Sequence, residues 1–143
     1  MCKKCYSKNK TSIKRVSQKT LEKKAVQSTI RDEYFEWHIK HCKSSEESGK
    51  PINDPARTNI CHLWPKRTYK SVQGDLDNCI YLTWEEHTRF DYLLDIFDFE
   101  TLEKEYKCWS KVVKRMENLL PKIEENGKLR YRFEEYLKKF NEK

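Results

Sequence analysis

Three polar residues in the chain, His62, Asn78 and His87, have types and spacings that can do chemistry together. A neutral imidazole, with an ordinary pKa of about 6.5, can take a proton from water. Imidazole nitrogens and amide or carboxylate oxygens can hold a divalent metal, which stabilises charge building on phosphorus and on a leaving oxygen. Those are the parts needed to hydrolyse a phosphodiester. Asp91 follows His87 by four residues, so on a helix the two share a face. Its carboxylate either binds the same metal, orients the imidazole from behind, or makes an ordinary surface pair.

A short scaffold must bring these groups together. Residues 59–63 (Asn-Ile-Cys-His-Leu) read as a strand, 64–78 as a long loop holding Pro65 and Gly74, and 79–82 (Cys-Ile-Tyr-Leu) as a second strand rich in β-formers. Thr83-Trp-Glu-Glu86 is a capping box, in which each end residue satisfies the other's free amide, so a helix starts at about Trp84 and runs past Phe90 and Leu94. His62 then lies on the first strand, Asn78 opens the second, and His87 sits in the first turn of the helix. On a regular strand, Cys61 and His62 point to opposite faces.

Upstream, Leu21, Ala25, Ile30, Tyr34, Trp37 and His41 recur at three- and four-residue steps and predict a helix over 20–41. Residues 44–55 read as a loop. Downstream, helices are expected over 99–119 and 129–141, separated by Pro121 and the Glu-Asn-Gly turn at 125–127. The fold class is α+β, organised as a basic arm over 1–19, a core with its preceding helix over 20–98, and a helical extension over 99–143. Trp37, Tyr81, Trp84, Phe90, Leu93 and Leu94 are the expected core around the motif. Trp64 reads as core rather than as a base-stacking ring, and His38 and His41 as structural.

The net charge of +7 on 143 residues points to a polyanionic partner, because each phosphate contact releases condensed counterions. Lys66, Arg67 and Lys70 follow His62 on the loop and suit phosphate clamping, as do Lys14 and Arg15 in the acid-free arm; solvated surface charge is the alternative. No stretch approaches the ~20 apolar residues of a membrane span, and the first residues lack the apolar core of a leader, so a cytoplasmic protein with reduced thiols is expected. The six cysteines include one C-x-x-C pair, Cys2 and Cys5. A zinc site built from these with Cys42 and His41 competes with the simpler reading of free thiols.

The segments Ile60-Cys-His-Leu-Trp-Pro-Lys-Arg67, Ser71-Val72, Asp77-Asn-Cys-Ile-Tyr-Leu82 and Glu86-His-Thr-Arg-Phe-Asp91 resemble the HNH endonucleases of phages and bacteria, across about residues 30–95. The resemblance implies a ββα-metal core flanked by N-terminal and C-terminal helices. It also implies that His62 is the general base, Asn78 an orienting or metal-binding residue and His87 a metal ligand. DNA is the implied partner, and the implied cofactor is a divalent ion: Mg²⁺, Mn²⁺ or Zn²⁺. Many members carry Asp or His as a ligand just before the base; here that residue is Cys61, whose thiolate suits Zn²⁺ or Mn²⁺-like ions better than Mg²⁺. Two rivals stand beside the endonuclease: a nucleic-acid-binding or virion-associated module that keeps the fold without cleavage, and a zinc-stabilised interaction domain.

Overall fold

The structure, a computed structural model, describes residues 16–142. Cys2, Cys5, Lys14 and Arg15, and with them most of the basic arm, lie outside the described residues. Helix α1 spans Gln18–His41, and its N-cap Ser17 accepts a bond from the Thr20 amide. The chain then loops through a bridge between Ser44 and Pro51. Strand β1 (Ile60–Cys61) pairs antiparallel with β2 (Ile80–Tyr81), with Ile60 opposite Tyr81 and Cys61 opposite Ile80. Four helices follow: α2 (Trp84–Asp95), α3 (Phe99–Glu105), α4 (Trp109–Leu119) and α5 (Lys128–Asn141). The architecture is α+β: helices around one small antiparallel hairpin. Among the described residues, no helix is long and apolar enough to cross a membrane.

The strands are shorter than the β-forming runs suggest. Asn59 belongs to a 3₁₀ turn over Arg57–Asn59, where its side-chain oxygen takes the Ala56 amide; one further bond, from the Leu82 amide to the Asn59 carbonyl (3.0 Å), extends the ladder. The capping box forms at α2: Thr83 Oγ1 accepts from the Glu86 amide and Glu86 accepts from the Thr83 amide, both at 3.4 Å.

Two expectations need correction. The single helix over 99–119 is broken at Tyr106–Cys108, because the carboxylate of Glu47, on a distant loop, takes the amides of Lys107 and Cys108 at 2.9 Å each. Those amides would otherwise bond within a continuous helix. The expected core also loses two members: Trp37 and Trp84 are 41% and 62% exposed. Helix α1 buries Tyr34, Phe35 and His38 instead, while Trp37 turns outward and stacks on His41.

One apolar core runs from Cys61 through Trp64, Ile80 and Phe90 to Phe133 and Leu137, so the hairpin, α2 and the C-terminal helices share their interior. Trp64 is fully buried, and its indole N–H donates to the Met116 carbonyl at 3.2 Å. A smaller cluster of Tyr34, Phe35, Cys42, Ile60 and Cys79 fastens the C-terminal half of α1 to the outer side of the hairpin. Cys42, Cys61, Cys79 and Cys108 are buried free thiols.

Candidate functional site

The hairpin and α2 bring three donor groups to one point. Cys61 leaves β1 toward α2, where its Sγ lies 3.4 Å from Asp91 Oδ1; Asp91 Oδ2 in turn lies 3.0 Å from His87 Nε2. One thiol, one imidazole nitrogen and one carboxylate oxygen fall within 4.8 Å of one another, a spacing that can hold a metal ion. The helical repeat is what aligns His87 with Asp91, and the capping box fixes where that repeat begins. His87 Nδ1 bonds the Thr58 carbonyl. A ring nitrogen held that way fixes the tautomer and aims the other nitrogen at the site, as metal-binding histidines commonly are.

The electrostatics differ from donor to donor. The Cys61 thiol is pushed well above its ordinary pKa, first by burial and then by the Asp91 carboxylate beside it. Burial works against a charged His87 ring, but the bonds to Asp91 and Thr58 outweigh it and raise the pKa. Both shifts favour the protonated forms in the metal-free protein, and a bound cation would compete with those protons. A soft sulfur, a borderline nitrogen and a hard oxygen together make a mixed donor set.

His62, the next residue after β1, faces the other way. Its ring stacks on Tyr34 (centroids 4.6 Å, 23° between planes) and meets Phe35 edge-on at 5.5 Å, both from α1. Burial lowers its pKa to about 4, although the Gln73 carbonyl and the Asp91 charge act in the opposite direction. With Nε2–H directed to the Gln73 carbonyl at 3.4 Å, Nδ1 keeps a free lone pair with no partner among the described residues.

Asn78 is fully buried, and its amide is committed to the backbone. Oδ1 accepts from the Trp64 amide at 2.7 Å; Nδ2 donates to the carbonyls of Trp64 (3.0 Å) and Val72 (3.1 Å). The residue ties both ends of the 64–78 loop together. Tyr34 adds a clamp from α1, its hydroxyl donating to the Asn78 carbonyl at 2.8 Å. Asn78 thus positions the segment that carries His62.

Lys66 lies over the Phe35 ring at 5.5 Å and Arg57 at 4.8 Å. Its pKa is lowered, first by burial and then by Arg31, Arg57 and Arg67, so these cations crowd one patch beside His62. Lys70 and Arg67 are exposed on the same loop. Sequence reasoning passed over Arg31 and Arg57. A signal for Arg31 did exist: Arg31, Tyr34, Phe35 and His38 follow the i, i+3, i+4, i+7 pattern of one helix face. That face competes with the 30/34/37/41 pattern, and only packing decides between them. Compared with protein-family models, curated proteins and solved structures, the chain matches none.

Proposed function

We propose that this protein is a metal-dependent DNA endonuclease of the HNH, or ββα-metal, type. The observation that carries the reading is the convergence of Cys61, His87 and Asp91 on one face of a hairpin–helix unit, with His62 the next residue in the chain after Cys61. Cys61, His87 and Asp91 would hold a divalent cation, which supplies charge stabilisation at phosphorus and at the leaving oxygen. The ring of His62, held neutral in its aromatic pocket, accepts the proton of the attacking water at Nδ1. Gln73 and Tyr34 fix the ring's orientation, and Asn78 fixes the loop beneath it. Lys66, Arg67, Arg57 and Arg31 hold the phosphate backbone, and their charge gives binding its salt dependence.

The reading is tested by supercoiled-plasmid nicking with Mg²⁺, Mn²⁺, Ni²⁺ and Zn²⁺, with His62→Ala alongside. Wild-type protein is expected to nick with Mn²⁺ or Zn²⁺ and only poorly with Mg²⁺. His62→Ala is expected to lose ~10²–10⁴ in rate with DNA affinity unchanged. Equal nicking by the variant, or no nicking by wild type with any ion, overturns the reading. The thiol donor at Cys61 favours one rival, a module that binds nucleic acid without cleaving it. That rival predicts full DNA affinity and no metal-dependent nicking.

A further inference from the structure

The cationic patch that would hold the phosphate backbone opens into a groove, and the cleavage reading gives the Gln73 side chain inside it no part. It lies between the N-terminal half of α1 and the 66–73 loop and encloses ≈ 1270 Å³. Lys23, Arg31, Lys66, Arg67 and Lys70 line it against a single acid, Glu22. Gln73 also lines it. That side chain is nine-tenths buried, yet its amide nitrogen has no hydrogen-bond partner among the described residues. Native interiors rarely leave a buried amide so, because the lost hydration is uncompensated.

We propose that this groove takes a single-stranded stretch of DNA, with the Gln73 side chain turning out of its buried position so that its amide bonds the edge of an unpaired base. The cations give the sign of the ligand, and the amide gives its kind. A phosphate offers only acceptors and is met by lysine and arginine at the rim. A carboxamide presents a donor beside an acceptor, which matches the mixed edge of a base, adenine's in particular. In a duplex that edge sits at the bottom of a groove in the double helix, whereas Gln73 is recessed in a groove of the protein. A flexible single strand can enter where a rigid duplex rests on the rim. The same residue's carbonyl receives the His62 ring, so the strand would leave the groove next to the proposed base. The inference rests on the endonuclease reading for the nature of the polymer.

The test is fluorescence anisotropy of the full chain in EDTA, so that no cleavage occurs, with three labelled ligands of one mixed sequence: single-stranded DNA, blunt duplex DNA and single-stranded RNA. Single-stranded DNA is expected to bind most tightly. Gln73→Ala and the size-matched Gln73→Met are expected to weaken that binding about tenfold and to leave duplex binding unchanged. Thermal melting serves as the fold control; loss of an unpaired amide leaves the melting point the same or higher. Tightest binding to duplex or RNA overturns the proposal, as does an equal loss on single strand and duplex, or no loss in either variant. Because no metal is present, the outcome is separate from the nicking assay. A protein that binds the strand through Gln73 and cuts nothing keeps this inference and overturns the endonuclease reading. A protein that nicks but binds independently of Gln73 does the reverse.

Discussion

His62, Asn78 and His87 are alike in being polar groups able to do chemistry, and the structure gives them three different surroundings. His87 is held from behind by Thr58 and faces Asp91 and Cys61, the setting of a ligand. His87→Ala should therefore lower Zn²⁺ affinity about a hundredfold and Asp91→Asn about tenfold, as ranked by calorimetric titration; undiminished binding in His87→Ala would remove it from the ligand set. Asn78 is different, since every polar atom of its amide is spent on the backbone. Asn78→Ala strands the Trp64 amide and two carbonyls in a dry interior, a loss of roughly 2–4 kcal/mol. Urea unfolding should show that loss, and metal affinity measured well below the midpoint should be unchanged. Reduced metal affinity with normal stability would instead make Asn78 a ligand. The identities and spacing of Cys61, His87 and Asp91 were legible from the sequence, because a strand's alternation and a helix's four-residue repeat are local rules. The saturation of Asn78 was not, because its partners are backbone groups whose positions depend on how the 64–78 loop folds back.

At the scale of elements, local signals served well where local bonds decide. The start of α2 was readable because Thr83 and Glu86 cap each other within four residues. The break between α3 and α4 was not, because its cause is Glu47, about sixty residues earlier in the chain and marked by no proline or glycine nearby. The buried face of α1 was misread for the same reason: two helical stripes fit the pattern, and the hairpin it packs on chose the one with His38. That packing is tight at Gly74, where an added Cβ would overlap Ile30 Cγ2 of α1. Gly74→Ala should therefore destabilise the protein by about 1–3 kcal/mol and, under the proposed function, slow nicking, since Gln73 and the His62 ring it holds lie next to the clash. Ile30→Ala should recover part of both losses in the double variant, a coupling that a double-mutant cycle reads directly. Strict additivity of the two substitutions would show that α1 does not rest on Gly74 in solution.

Over the whole molecule, one apolar core from Cys61 to Leu137 unites the hairpin with the C-terminal helices, while a smaller apolar cluster fastens α1, with a polar joint of His38, Tyr81 and Cys79 beside it. His38 is the centre of that joint. It is 1% exposed, its Nδ1 lies 2.8 Å from the Tyr81 hydroxyl, and the Cys79 thiol lies 3.4 Å from the ring. Nδ1 accepts from Tyr81 in the neutral tautomer, which leaves the proton on Nε2, 3.4 Å from the Cys79 sulfur. A charged ring is disfavoured there, first by burial and then by His41, and the pKa falls to about 4. The folded protein therefore keeps His38 neutral at pH values where the unfolded chain, with an imidazole pKa of about 6.5, has already taken up a proton. Stability from this residue is complete above pH ~6.5 and is lost as pH falls toward about 4, because the unfolded state binds more protons over that range. Between pH 7 and 4.5 the loss from His38 should be roughly 2 kcal/mol, and it adds to whatever other groups contribute. Urea midpoints followed by tryptophan fluorescence can measure it. Wild type should weaken steadily over that interval, and His38→Gln, which keeps a hydrogen-bonding amide but cannot protonate, should start lower at pH 7 and decline less. Parallel decline in the two proteins would mean that His38 titrates normally and that the joint between α1 and the hairpin is open to water.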